Sequence, residues 1–574
     1  MGAPFSNSPE VIARFSKAVV SELEREPGQS IEALKIRLAP QFGISGVLKN
    51  AAIFMALPPS ERTPAIRSLL RTRLTRTGSG VTPVAVMPKP FPCPGKCTYC
   101  PTAIREIDET EPPSKKGAHP LPPSTPSGKK REMFAPKAYT GFEPATMRAI
   151  QNDYDAKRQI GMRLSQYEAL GQPATKCELI LMGGTFLSVP KDYRHQFVKE
   201  CFEAFNGEAS DTLAAAQLKN ESALHRVIGL TVETRPDWCT RRDIGEMLAW
   251  GATRVELGVQ SLDDEVLEKV RRGHDSERAA QATADLKNAA FKVGFHFMPG
   301  LYSTHADDVR MLRRLFADSD FCPDMLKLYP CLVMPGTALY DEWKAGRFNP
   351  ITTEEAVARI AEATKYFPPW VRVMRMQRDI PASKIAAGVK AGNLHQMVSR
   401  SLSEKGEKCR CIRCRETFSP YRREEGGSKK KLKLELVERQ YEASGGTEHF
   451  LSFEDVEQDL LAGFIRLRLP PFSHRPEITP ATALVRELHV YGQELAVGQP
   501  PSDSAGAPSG LSRSHLVSEP VQHQGLGKRL LARAQEIARA AGRNKLLIIS
   551  GVGARPYYAK LGYSRDGPYV AQAL

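Results

Sequence analysis

Residues 93–100 read Cys93-Pro94-Gly95-Lys96-Cys97-Thr98-Tyr99-Cys100 and follow directly on the apolar run Val84 to Met87. Three thiolates hold three irons of a four-iron cluster and leave the fourth iron open to a ligand that can be reduced by inner-sphere contact. Zinc is the plainer alternative, but a structural zinc wants four ligands, and no fourth Cys or His lies close to this run. Tyr99 packs either beside such a cluster or in an ordinary core.

Outward from this loop, short apolar runs alternate with helical patterns over about residues 81–380, which predicts an α/β fold with a parallel sheet or partial barrel. The strand candidates are Val84 to Met87, Glu178 to Met182, Val227 to Glu233, Arg254 to Val259, Phe295 to Met298, Met325 to Tyr329 and Val371 to Met374. Helices are expected to begin near Glu143, Lys191, Arg241, Asp264, Ser276, Ala306 and Thr353. Chemistry in such folds collects at the carboxyl ends of the strands. Gly183, Gly184 and Thr185 close the second strand, Glu233 to Pro236 the third, Gln260 and Ser261 the fourth, and Met298 to Gly300 a later one. The three-cysteine loop followed by this alternation resembles the radical S-adenosylmethionine (SAM) enzymes. The resemblance implies that Gly183, Gly184 and Thr185 hold the amino group of SAM, with Glu233, Arg235 and Gln260 beside SAM or substrate. Taken alone, a Gly-Gly pair is equally a tight turn with no ligand.

A second chemical signature lies near the C-terminus. Residues 522–527 read QHQGLG and lead into a basic amphipathic helix that contains Lys528, Arg529, Leu530, Leu531 and Arg533. Glycines at a helix start open backbone N–H groups to a pyrophosphate such as that of coenzyme A. The succession of the strand LVRELHVYG, this turn, a helix, the strand LLIIS and the pair Tyr557-Tyr558 resembles the GNAT acetyltransferase fold. That likeness implies that Glu487, Leu488, His489 and Val490 lie on a splayed strand beside pantetheine. Gln522, Gly525, Leu526, Gly527 and Lys528 would then form the coenzyme A turn, with Tyr557 and Tyr558 near the thioester. Aromatic packing in the core accounts equally for one of the two tyrosines.

At 574 residues the chain calls for two or three domains. A helical basic region is expected over residues 1–80, a cluster-binding barrel over 81–385, a basic linker over 386–430 and an acetyltransferase-like domain over 431–574. No run of 18 apolar residues could span a bilayer and no secretory signal is visible, so the expected location is cytoplasmic, without a membrane partner. The eleven cysteines then read as metal ligands and buried thiols rather than disulfides. A net charge of +15 favours a polyanionic partner. Arg62, Arg67, Arg71, Arg73 and Arg76 face a single Glu61, as either a phosphate-binding face or a solvated one. Residues 104–136 and 499–520 read as surface loops rich in proline and polar residues.

The phrases YTGFEPATMRAI, LMGGTFLSVP, GLTVETRPDW, VELGVQS, LKLYPCLVMPGT, CIRCRE, VRELHVYG, QHQGLG and ISGVGARPYYAKLGY together resemble the catalytic subunit of Elongator, the tRNA wobble-uridine enzymes. The three-residue gap between Cys93 and Cys97 resembles prokaryotic members, for which other Elongator subunits are not required. The resemblance implies formation of 5-carboxymethyluridine in the anticodon stem-loop of tRNA from acetyl-CoA and SAM, by radical chemistry on a [4Fe-4S] cluster. It assigns Cys93, Cys97 and Cys100 to the cluster, Lys176 and Tyr558 to acetyl-CoA, and Cys331, His395, Cys411 and Cys414 to zinc. Cys409 is the alternative to Cys331, and a solvated basic hinge with unused thiols is the alternative to a zinc site. The basic residues nearby (Arg410, Arg413, Arg415, Arg422, Arg423 and Lys429 to Lys431) suit tRNA phosphates. The electron donor is not named by the sequence, and a homodimer is left open. Two other functional classes also stay open: a protein lysine acetyltransferase with a structural cluster, and an RNA-binding scaffold.

Overall fold

Strand β1 (Thr82–Val86) begins a parallel sheet, and its alternating burial shows one face turned into the core. In this computed structural model, residues 8–26, 29–44, 48, 50–70, 80–107, 130–169, 172, 174–417, 432–491 and 525–574 are described. After the cysteine loop the chain forms an antiparallel ribbon of β2 (Ile104–Ile107) and β3 (Lys130–Met133), with Ile104 opposite Met133. The stretch 104–136, expected to be loop throughout, therefore starts and ends in paired strand. Four-residue strands as charged as Lys130–Met133 carry no apolar period to betray them.

The sheet continues with β4 (Lys176–Leu181), β5 (Arg226–Thr234), β6 (Arg254–Gln260), β7 (Lys292–Phe297), β8 (Met325–Leu328) and β9 (Arg372–Arg375). Its order is β1-β4-β5-β6-β7-β8-β9, all parallel, which makes an open half-barrel. Parallel strands covered by crossover helices are buried on both faces, which is why they read as near-continuous apolar runs. All seven carboxyl ends therefore open on one side.

The C-terminal sheet contains β10 (Glu435–Ala443), β11 (Gly446–Asp455), β12 (Leu460–Leu469), β13 (Thr482–Val490), β14 (Lys545–Ile548), β15 (Ser564–Asp566) and β16 (Tyr569–Ala573). Its order is β10-β11-β12-β13-β14-β16-β15, with β13 and β14 parallel and the other neighbours antiparallel. Strands β13 and β14 pair from Thr482–Lys545 to Val485–Ile548 and then part. At the same level, on its other flank, β13 itself carries a bulge: Arg486 is the extra residue between the pairs Glu487–Arg466 and Val485–Leu467 of β12. The bulge bends the ladder and leaves Glu487–Val490 facing a gap in the sheet.

One hydrophobic core runs through both sheets, for Phe464, Leu484, Leu547 and Tyr569 of the second share it with Val255, Phe295 and Leu326 of the first. Charged groups lock this junction. The Asp324 carboxylate, at the start of β8, accepts from both terminal nitrogens of Arg486 at 2.6 and 2.7 Å. Glu448 accepts from Arg486 at 2.8 Å and from Arg468 at 2.9 Å, and Arg468 also donates to Asn288 Oδ1 at 2.6 Å. Gly551 is a glycine of necessity, since a Cβ there would lie 2.1 Å from the Ile228 carbonyl oxygen of β5.

Helices Pro9–Arg25, Ile31–Leu38, Asn50–Ala56 and Pro64–Leu69 pack Phe15, Val19, Leu34, Ile53 and Phe54 into a separate small core. Arg62 is spent on backbone carbonyls, donating to Leu57 at 2.9 Å and Met55 at 2.7 Å. The rest of the expected arginine face lies outside the described residues: Arg71, Arg73 and Arg76 entirely, and Arg67 in its side chain. Among the described residues no helix is long and apolar enough to cross a membrane.

Candidate active site

The cysteine loop is pinned before any ligand is considered. Thr98 N donates to Val270 O at 3.1 Å, Leu339 N to Thr98 O at 3.0 Å, and Cys100 N to Cys97 O at 3.2 Å. The Lys137 ammonium closes the other side on Gly95 O at 2.7 Å. Cys93, Cys97 and Cys100 all line one cavity. A hydrogen bond from Cys100, and then the charge of Arg272 working against burial, hold the Cys97 thiol down at about 4. Cys100 is pushed up by keeping the proton of the pair, and by burial. Of this loop, Cys97 is the thiol held as thiolate, the form in which cysteine binds a cluster.

The strand ends close over this loop. Gly184 has φ +73° and a Cβ there would lie 3.0 Å from Lys137 O, so the backbone must pass close to its neighbour. Gly184 and Thr185 line the cavity, whereas Gly183 packs on Pro88. Glu233 accepts from the Tyr139 hydroxyl at 2.6 Å, and Gln260 lines the cavity with φ +75°, a left-handed backbone that costs a non-glycine residue energy. Deeper in the barrel, Lys327 forms a short ion pair with Glu256 and lies 3.8 Å from Glu233, while His296 Nε2 is 3.0 Å from Glu256. Burial opposes charge on Glu256, but Lys327, the His296 hydrogen bond and Arg254 hold its carboxyl well below the usual range. With an ammonium already between the two carboxylates, these residues form an ion-paired barrel floor.

At the far end, Gly525 (φ +78°) precedes helix Leu526–Ala540. A Cβ on Gly527 would lie 3.1 Å from the Tyr557 hydroxyl and 3.9 Å from Leu488 and Val490, so turn, splayed strand and tyrosine converge. Glu487 accepts from Arg466 Nε at 2.9 Å and lies 3.8 Å from Lys292 Nζ, so its carboxylate is committed to a buried pair. His489 lies between Phe464 and Tyr491, its ring 4.4 Å from that of Tyr491. Tyr558 is buried in the core of this domain, edge-on to Tyr557 at 5.2 Å, while Tyr557 is half-exposed. Gln522 lies outside the described residues.

These ends belong to one space. A cavity of about 2470 Å³ is lined by Cys93, Cys97 and Cys100, by Glu233, Gln260 and Lys327, by Lys176, and by Leu488, Val490, Gly527, Tyr557 and Tyr558. Known proteins show the same pairing of domains. The sequence profile of the Radical SAM superfamily matches residues 92–316, that of the Radical_SAM C-terminal domain residues 323–404, and that of the Acetyltransferase (GNAT) domain residues 512–573. The tRNA uridine(34) acetyltransferase of Methanocaldococcus jannaschii is 40% identical over 98% of this chain and 96% of its own length. That of Methanocaldococcus infernus is 43% identical over 88% of each. Human Elongator complex protein 3 is 36% identical over 97% of this chain and 96% of its own length. The chain belongs to the tRNA uridine(34) acetyltransferase and Elongator complex protein 3 family. The solved structure of archaeal Methanocaldococcus infernus Elp3 with an N-terminal deletion (1-46) superposes with a TM-score of 0.70 at 40% identity, covering 86% of this chain and all of that one. Its radical SAM domain implies a [4Fe-4S] cluster and SAM, and its GNAT domain implies acetyl-CoA.

In this member of the Elongator complex protein 3 family, the thiols near enough to share a single ion, among the described residues, are Cys409, Cys411 and Cys414, whose sulfurs all lie within 4.8 Å. Cys331 does not join them. It is buried beside Cys97, Val333 and Leu339, and burial pushes its thiol up to about 12. The third thiol of the group is thus Cys409, the alternative left open by the sequence. His395 is on helix Leu394–Glu404, where burial and then Arg413 push its ring down to about 4 while Cys411 works the other way. Its ring nitrogens are not among the atoms that share the 4.8 Å grouping of the three sulfurs, so the structure gathers three of the ligands of a tetrahedral site and leaves His395 outside that group.

Sequence reading missed Tyr139, Glu256, Arg272, His296 and Lys327. For three of them a signal exists: Glu256, His296 and Lys327 are the polar members of VEL, FHF and LKL, each flanked on both sides by an apolar residue. A side chain of that kind buried in a barrel must be paired, and the pairing partners are one another.

Proposed function

We propose that this protein forms 5-carboxymethyluridine at the wobble position of tRNA, from acetyl-CoA and SAM. The observation that supports it is the single cavity reaching from the three-cysteine loop to the Gly527–Tyr557 turn. When bound, cluster and SAM supply a carbon-centred radical able to activate the methyl group of acetyl-CoA for bonding to carbon 5 of uridine. Cys93, Cys97 and Cys100 hold the cluster, and Gly184, Thr185, Glu233 and Gln260 border SAM. Backbone N–H groups at Gly525 to Lys528 cradle the pyrophosphate of coenzyme A. Leu488 and Val490 flank pantetheine, while Lys176 and Tyr557 keep the acetyl end within the shared cavity, with Tyr558 supporting the ring of Tyr557 from the core. The anticodon stem-loop suits this site because a single-stranded base is splayed into a cavity at little unstacking cost.

The same reading takes Cys409, Cys411, Cys414 and His395 as a zinc site that braces the linker between the barrel and the GNAT domain. Anaerobic reconstitution with reductant, SAM, acetyl-CoA and tRNA, followed by nucleoside mass analysis, tests the function. Carboxymethyluridine that depends on both SAM and acetyl-CoA is the expected result. Acetylated protein with unmodified tRNA would overturn it.

A further inference from the structure

Two buried guanidinium groups reach the cysteine loop from different elements. Arg235 follows β5 and Arg272 follows helix Asp264–Lys269, and each is only 4% exposed. Asp237 fixes Arg235, accepting from Nε at 2.8 Å and from one terminal nitrogen at 2.6 Å. The other terminal nitrogen, Nη1, is buried and has no hydrogen-bond partner. It lies against the loop itself: a Cβ on Gly95 would be 2.0 Å from it and 3.5 Å from Cys93 Sγ. Arg272 is held by the Gly258 carbonyl, and by His274 Nε2 at 3.1 Å, while its Nη1 donates to Cys97 Sγ at 3.4 Å. The two are interlocked, since a Cβ on Gly273 would lie 2.6 Å from Arg235 Nη2.

A buried charged donor without an acceptor costs more than its burial can return, so its acceptor belongs to whatever fills the loop. A four-iron cluster on three thiolates is anionic, becomes more so on reduction, and presents sulfurs as acceptors, so hydrogen bonds and cations at its sulfurs raise its potential. We propose that Arg235 and Arg272 donate charge-assisted hydrogen bonds to the sulfurs of the cluster and its thiolates, and that this pair sets the reduction potential. The inference rests on the cluster assignment of Cys93, Cys97 and Cys100. It gives the reason for Gly95: any side chain there would displace the Arg235 fork from the loop.

The test is a redox titration of the anaerobically reconstituted full chain without SAM, followed by electron paramagnetic resonance, with iron and sulfide measured in parallel. At the wild-type midpoint, Arg235→Gln and Arg272→Gln should each lower the reduced-to-oxidised ratio by about tenfold, a shift of about 59 mV for one electron. Arg235→Lys and Arg272→Lys, which keep the charge but lose the fork, should fall between. An unchanged ratio in cluster-loaded Gln variants overturns the proposal, also where SAM binding alone is weakened, because the pair would then serve SAM rather than the cluster. If a Gln variant does not hold iron, the Lys variant decides, and a wild-type ratio there overturns the proposal equally. Wild-type protein that takes up no iron would instead remove the cluster assignment on which the inference stands.

Discussion

At Gly527 a single missing methyl group decides access. Its Cβ would stand 3.1 Å from the Tyr557 hydroxyl, so a small side chain forces the tyrosine aside and a large one fills the space between helix start and splayed strand. Gly527→Phe should lower acetyl-CoA turnover and uridine modification together by at least about 10²-fold, the scale expected when a reactant is displaced by an ångström or more. Cluster content and SAM cleavage should stay near wild type, because the cysteine loop is anchored by Val270 and Leu339 of the barrel. Normal carboxymethyluridine formation by the variant, measured by nucleoside mass analysis, would place acetyl-CoA elsewhere. Tyr557→Phe separates a second contribution: the ring stays against Tyr558 while the hydroxyl facing the turn is lost. A deficit there of a few-fold is expected if the lost contact is one hydrogen bond of about 1 kcal/mol.

Among the elements, the turn before and through Ile412–Arg415 gathers Cys409, Cys411 and Cys414 and fastens β9 to the C-terminal sheet. Ile412 N donates to Val371 O at 2.9 Å, and Arg415 reaches Glu454 of β11 at 2.8 Å. The zinc reading predicts one zinc per chain after removal of iron, lost in Cys409→Ser, Cys411→Ser and Cys414→Ser but kept in Cys331→Ser, as elemental analysis would show. Zinc lost in Cys331→Ser as well would return the ligand set to the one implied by family resemblance. The spacing of cysteines in sequence could not make this choice, because whether Cys331 reaches the linker is decided by the tertiary fold, which leaves it in another buried cluster. The parallel strands were legible for the opposite reason: burial on both faces leaves a local apolar run at each, from Leu179 in β4 to Leu326 in β8. The ribbon of β2 and β3 has no such run. The turn at Gly525 that opens helix Leu526–Ala540 was legible as glycine spacing, whereas the parting of β13 from β14 goes with a bulge in β13 that no local pattern announces.

For the whole molecule, the sequence misleads most over charge. Arg466 and Arg468 of β12 and Arg486 of β13 count toward the basic composition, yet they are almost fully buried and pair with Asp324, Glu448 and Glu487. These three arginines are therefore structural cement between the domains, neutralised by three carboxylates, and the net positive charge is carried by other residues. Breaking a buried pair by removing one partner costs about 3–5 kcal/mol, because the abandoned charges stay out of water. Asp324→Asn leaves Arg486, Arg466 and Lys287 around a neutral amide, so thermal unfolding should begin at lower temperature, with the domain junction failing first. Uridine modification should fall more than SAM cleavage does in that variant, since only the former needs both ends of the cavity in register. Acid should act on the same junction. Burial opposes charge on Glu454, but Arg439 and Arg415 hold its carboxyl down at about 2 from 4.5, and Asp324 and Glu448 are likewise depressed against burial, chiefly by Arg486. A depressed folded-state value gives stability that is complete above the unfolded value and is lost as pH falls toward the folded one. Melting temperature should therefore be flat above pH 4.5 as far as these groups are concerned and decline below it, and Asp324→Asn should decline less steeply for want of one of them. An equal slope in both proteins would show that Asp324 is not among the groups that acid must protonate to part the domains.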